Sequence, residues 1–220
     1  VSSSIRAHLR ASLDPEGRDE ARTDGLPAGY RLRRLRMEDA GAVAEARLRN
    51  RAHLEPWEPQ ASVDLTSTVG VQRLFAAAEA RERAGEEETW YLWCHEVQQD
   101  GAERPTVVGH VSLGAITRGG LQSARLGYWV DAAHTRRGLA TAMVTFAGTR
   151  ALELGLHRIE AGTRTDNVAS AGVLQRSGFE RVGVLRQMLF IHGAWRDHDL
   201  WQRVLGDAPP AGDSERPVQR

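Results

Sequence analysis

Between Thr89 and Thr163 the chain changes its hydrophobic period from two to 3.6 and back, and this limits the folds open to it. Thr89–Val97 (TWYLWCHEV) reads as a strand buried on most of both faces, Gln98–Pro105 as a turn, and Thr106–Ile116 as the next strand, ended by Arg118-Gly119-Gly120. Ala124–Val130 is a further strand. Gly138–Leu154 then carries Leu139, Met143, Phe146, Ala147, Ala151 and Leu154 along one side of a long helix, and His157–Thr163 returns to strand. Strands that follow one another closely and then alternate with helices predict a mixed sheet covered on both faces.

The flanks extend this order. Tyr30 and Leu32, with Arg34, share one face of a first strand, and a helix from about Glu38 sets Ala40, Val43, Ala44 and Leu48 at helical spacing. Pro56 and Pro59 bracket Trp57 in a loop that cannot be regular helix. Thr66 or Ser67 caps a second helix with Val71, Leu74, Phe75 and Ala78 on its apolar side. Val168–Ser177 is a short helix, and two strands fill Phe179–Val204. The predicted order is β-α-α-β-β-β-α-β-α-β-β, an α/β sheet of about seven strands within one domain over residues 30–206. Residues 1–29 and 207–220, broken by Pro and Gly among charges, are expected to be mobile tails.

Composition removes several function classes. Lys+Arg and Asp+Glu are both 29, so net charge offers no reason for broad nucleic-acid or membrane binding. One cysteine, Cys94, allows neither an internal disulfide nor a cysteine metal cluster, and it is expected to be buried rather than nucleophilic. His157 and His192 lack a ligand pattern, so no metal is expected. No apolar run reaches a membrane-spanning length and the start lacks a signal-type apolar stretch, which predicts a cytoplasmic protein. Arg31, Arg33, Arg34 and Arg36 read as a solvated strand face. Trp90, Tyr91, Trp93 and Phe75 read as core.

The chemistry is expected in Gly127-Tyr-Trp-Val-Asp-Ala-Ala-His-Thr-Arg-Arg-Gly-Leu-Ala-Thr141, a strand, a short loop and then a helix start at Gly138. Free backbone N–H groups and the positive end of the helix dipole can hold a pyrophosphate there. Gly138 and Ala140 keep the approach open, and Arg136 and Arg137 add charge. A plain helix start beside a solvated turn is the alternative.

This stretch resembles the acetyl-CoA loop of the GNAT N-acetyltransferases, whose pattern Gln/Arg-x-x-Gly-x-Gly/Ala appears as Thr135-Arg136-Arg137-Gly138-Leu139-Ala140, with Thr135 departing from the usual residue. Asn50–Pro59, Gly127–Val130, His157–Ala161, Asp166–Ser170, Ser177–Phe179 and Gly193–Asp197 follow in the order of the RimJ/RimL branch, which acetylates N-terminal α-amines of ribosomal proteins. The resemblance, over about Tyr30–Leu205, implies a GNAT-type, mostly antiparallel sheet and acetyl-CoA as co-substrate. It implies cofactor contacts at Tyr128, Trp129, Val130, Thr135, Arg136, Arg137, Gly138, Leu139, Ala140, Thr141, Asn167 and Ser170. Strand Leu126–Val130 should splay from its neighbour and pair with the pantetheine arm, with Ser170 protonating the departing thiolate; a helix-start serine bonded to its own backbone is the alternative. The expected partners are acetyl-CoA and an amine acceptor such as a ribosomal protein N-terminus, with a homodimer left open.

The base is open. The branch's glutamate falls at about Leu189, where no carboxylate stands, leaving His110, Glu58 and Glu160 as candidates. Trp57 and Glu58 are read as acceptor-side residues, with Trp57 as a surface plug the other reading. A protein α-amine of pKa about 7.7–8.0 costs only about 1 kcal/mol to neutralise at pH 7, against roughly 4.6 kcal/mol for a lysine near 10.4. A site without a strong base therefore suits an α-amine. Glu55, Glu58 and Asp64 at the acceptor mouth keep a cationic small-molecule amine open as substrate, and the missing glutamate keeps open a non-catalytic acyl-CoA sensor.

Overall fold

The structure, a computed structural model, describes residues 25–95 and 104–206. The sequence readings on Val1–Asp24, Glu96–Val97, most of the 98–105 turn and the 207–220 tail lie outside the described residues. Among the described residues there are seven strands: β1 (Tyr30–Arg34), β2 (Glu88–Cys94), β3 (Thr106–Thr117), β4 (Ser123–Val130), β5 (Arg158–Arg164), β6 (Glu180–Ile191) and β7 (Ala194–Val204). The α-helices among the described residues are α1 (Ala40–Arg49), α2 (Arg51–Leu54), α3 (Thr68–Arg83), α4 (Leu139–Glu153) and α5 (Val168–Arg176).

The strands form one sheet in the order β1-β2-β3-β4-β5-β7-β6. All neighbours are antiparallel except β4 and β5, which run parallel. β2 is buried on both faces from Thr89 to Cys94, as its aromatic run predicts. One face carries α4 and α5, whose Leu139, Met143, Val144, Ala147, Ala151 and Leu174 pack on Leu92, Val111, Leu113 and Ile159. The other carries α1 and α3, whose Val43, Ala44, Val71, Phe75 and Ala78 pack on Tyr91, Trp93 and Trp129. Ser67 caps α3 by accepting from the Gly70 N–H at 3.1 Å.

Two details of α1 depart from its periodicity. A 3₁₀ turn over Met37–Asp39 precedes it, and Leu48, expected inside, is 58% exposed. The inward stripe runs Ala40, Val43, Ala44 and then Arg47, because 47 stands four residues after Val43 and three after Ala44. The apolar stripe thus ends in a cation. Of the basic residues of β1 and its exit, Arg31 is exposed, while Arg33 pairs with Asp39, Arg34 with Glu82 and Glu88, and Arg36 with Glu38.

Candidate active site

β4 and β5 pair only at Ser123–Arg158, Ala124–Ile159 and Arg125–Glu160. Beyond that point β4 runs on to Val130 and β5 to Arg164 without pairing, so the sheet opens into a wedge-shaped gap. On its other side β4 stays in register with β3 through Val130, and the Asp131 N–H donates to the Val108 carbonyl at 2.8 Å. Backbone groups alternate along a strand. Gly127, Trp129 and Asp131 therefore turn toward β3, while Tyr128 and Val130 aim their N–H and C=O groups into the gap. The wedge thus offers free strand donors to an extended ligand.

Tyr128 also reaches across the gap with its side chain. Its hydroxyl lies 2.7 Å from Ser170 Oγ and donates to the Ser170 carbonyl at 3.2 Å. Burial pushes the phenol up, to about 12 despite the Ser170 hydrogen bond, so it stays protonated. Asn167 caps α5 by accepting from the Ser170 N–H at 3.0 Å. The Ser170 hydroxyl is therefore partnered by Tyr128 rather than by its own helix.

Past β4 the chain turns sharply into α4. Buried Asp131 accepts from Asn50 Nδ2 at 2.7 Å, Arg49 Nε at 2.8 Å and the Ala133 N–H at 2.9 Å, while Asn50 Oδ1 accepts from the Ala132 N–H at 2.8 Å. Burial raises the Asp131 carboxyl, but these donors together outweigh it and hold the group below its ordinary value. The loop is thereby pinned to the end of α1, a network with no local sequence signal because its members lie more than 80 residues apart. The Thr135 hydroxyl bonds the Ala132 carbonyl at 3.1 Å. Arg136 and Gly138 both have positive φ, 60° and 78°. No side chain caps α4 at Gly138, so its first N–H groups, including those of Leu139, Ala140 and Thr141, face outward. A methyl at Gly138 would meet no atom within 4 Å, so the glycine answers the left-handed backbone and not crowding. Such a corner binds anions. Exposed Arg136 stands beside it, whereas Arg137 folds back, donating to the Tyr30 hydroxyl at 2.8 Å.

On the α1–α3 face two connected hollows of about 520 and 410 Å³ share Arg47, Glu58, Pro59, Gln60, Ala61 and Leu65. The smaller reaches Tyr91, His110, Tyr128 and Trp129; the larger opens toward Phe190, His192 and Gly193 at the β6–β7 turn. Two base candidates line the smaller one. Glu58 has each carboxylate oxygen bound by Arg47, Oε1 at 3.1 Å and Oε2 closer still. His110 packs 5.1 Å from the Tyr91 ring, and burial together with the Arg47 charge pushes its imidazole down to about 4. It is neutral at pH 7 and a weak base. Glu160 stands at the closed end of the wedge, ion-paired to Arg158 at 2.8 Å, and lines neither hollow. Trp57 lines neither hollow and packs instead on Arg164, whose Cζ lies 5.1 Å from its ring centroid. Arg47, bound to Glu58 and 5.7 Å from the Trp129 ring centroid, lines both hollows and was missed in the sequence reading; the signal was a charge continuing the apolar stripe of α1.

Residues 30–180 match the acetyltransferase (GNAT) domain family. The chain is similar to the probable N-acetyltransferase YjcK of Bacillus subtilis, 32% identical over 170 residues, covering 77% of this chain and 90% of the relative. Its fold is similar to that of the ribosomal-protein-S5-alanine acetyltransferase from Vibrio fischeri, with a TM-score of 0.75 and 27% identity over 84% of this chain and 97% of that one. It is also similar to Mycobacterium smegmatis RimJ in complex with CoA-disulfide, with a TM-score of 0.70 and 33% identity over 85% and 84% of the two chains.

Proposed function

Because the chain belongs to the GNAT family of acetyltransferases and takes acetyl from acetyl-CoA, we propose that its acceptor is a protein N-terminal α-amine, of the ribosomal-protein type. The observation that carries this reading is that none of the three candidate bases stands as a free, strong base in the smaller, inner hollow, while Glu55 and Asp64 line only the larger, outer one. His110 is neutral but weak, Glu58 is held by Arg47, and Glu160 stands outside the hollows. An α-amine needs only about 1 kcal/mol to lose its proton at pH 7, so water in an open groove suffices to carry it away. A side-chain lysine would need roughly 4.6 kcal/mol, which none of these three groups is set to supply. The groove, open from the β4–β5 wedge to the β6–β7 turn, also has room for an extended peptide end.

In this reading the anion-binding corner at Thr135–Thr141 takes the diphosphate of the co-substrate, and the free edge of β4 takes its amide-bearing arm. The gap-facing N–H of Val130 or Tyr128 meets the oxyanion that develops on the thioester carbonyl. The amine nitrogen bonds the carbonyl carbon as the carbon–sulfur bond breaks. Ser170 passes its proton to the sulfur while Tyr128 steadies the hydroxyl, and the proton that the nitrogen sheds as the amide forms returns to Ser170 through water. Thiol release from acetyl-CoA, followed with alanine- and serine-initiated peptides, spermine and Nα-blocked lysine, tests the acceptor. Turnover is expected with the peptides; faster turnover of the lysine or of spermine would overturn the assignment.

A further inference from the structure

We propose that residues 56–58 form a strap across the mouth of the β4–β5 wedge and that Arg164 is the positioning residue that sets this strap for the acceptor. The proposal rests on reading the α1–α3 hollows as the acceptor side, and it concerns side chains that the chemistry above does not use.

Arg164 is the last residue of β5 and its side chain is 15% exposed. Its Nε donates to Asp166 Oδ1 at 2.9 Å and its Nη2 to Asp166 Oδ2, while its Nη1 donates to the Pro56 carbonyl at 2.6 Å. The same guanidinium lies over the Trp57 ring. At the strap's other end Glu58 is gripped by Arg47, which lies over Trp129 of β4. Contacts therefore run from Trp129 through Arg47, Glu58, Trp57 and Pro56 to Arg164, joining the two strands where their own pairing has ceased. Trp57 is 36% exposed and faces neither hollow, so its indole serves as the anchor for Arg164 and not as an acceptor wall. Pro56 and Pro59 limit the backbone on either side, so the segment shifts as a unit and takes Glu58 with it. Asp166, the partner of Arg164, precedes Asn167, which caps the helix of Ser170. One side chain thus ties the acceptor-side strap to the corner that bears the leaving-group hydroxyl.

A planar guanidinium is needed, because one group must grip a carboxylate with two donors, reach a carbonyl and lie on an indole. The test compares wild type with Arg164→Met, Arg164→Lys and Trp57→Leu, using acetyl-CoA and an alanine-initiated hexapeptide. KM for the peptide is expected to rise about tenfold in all three while KM for acetyl-CoA stays within about twofold. Lysine does not rescue, and Arg164→Met combined with Trp57→Leu is no worse than either alone, as for residues acting as one unit. Equal losses for both substrates, full rescue by lysine, or multiplying effects would overturn the proposal. Hydrogen exchange at the amides of Trp57–Ser62 is read in parallel and needs no acceptor. Faster exchange in Arg164→Met supports the strap, and unchanged exchange refutes it. A wild-type enzyme that ignores the peptide but shows that exchange difference would count against the acceptor reading alone.

Discussion

Tyr128 and Ser170 join the two sides of the wedge through their hydroxyls, 2.7 Å apart, and through the Ser170 carbonyl, so the effect of losing either hydroxyl separates binding from chemistry. Ser170→Ala is expected to lower kcat about a hundredfold with little change in KM for acetyl-CoA. Tyr128→Phe keeps the ring and should cost less, since Ser170 retains its own proton. Stopped-flow thiol release checks both. The pH profile is set by the acceptor instead: kcat/KM is expected to rise through a single ionisation near about 7.7–8.0, that of the peptide α-amine. His110→Asn should leave this midpoint unmoved, because the ring is already pushed down to about 4 and is neutral throughout. A midpoint that shifts in this variant would make His110 the base.

At the scale of elements, the β4–α4 corner combines a left-handed glycine with a left-handed arginine. Gly138→Ala puts a Cβ on a backbone at φ 78° and is expected to cost about 1 kcal/mol, with KM for acetyl-CoA rising more than that for the acceptor. Arg136→Gly relieves the strain at φ 60° and should stabilise by up to about 1 kcal/mol while weakening co-substrate binding through the lost charge. Thermal unfolding and the two KM values separate these effects. The Asp131 network behaves differently. Its carboxyl sits below the ordinary 3.8, so it stabilises the fold above that pH and the contribution disappears as pH falls through the lowered value. Asp131→Asn is expected to cost roughly 2 kcal/mol at neutral pH, with the gap from wild type closing in acid. Urea unfolding at several pH values checks the sign.

For the whole molecule the sheet order sets what can be removed. The family match ends at 180, yet β7 lies between β5 and β6, pairing with β5 from Arg158–Val204 to Arg164–His198. Trp201 of β7 is buried, and its indole N–H donates to Thr163 Oγ1 at 3.1 Å. A chain ending at Gly193 would strip β5 of its longer pairing and leave β6 unattached to the sheet. It is expected to lose cooperative thermal unfolding and CoA binding together; a soluble product that retains both would show β7 to be dispensable.

Much of this was legible along the chain because it depends on neighbours. Aromatic and β-branched runs mark β2 to β4, helical spacing marks α3 and α4, and Gly138 marks a turn that only a left-handed backbone can make. The motif order pointed to the family for the same reason, since the β4–α4 corner is a local strand–loop–helix event. The insertion of β7 between β5 and β6, the parting of β4 from β5, the Asp131–Asn50 tie and the Arg164–Pro56 contact were not legible. Each joins residues whose separation is set by packing of the entire sheet, and no periodicity encodes a partner that far away. Trp57 shows the difference: composition marks it as an aromatic on a proline-bound loop, and only the tertiary structure sets its ring against Arg164.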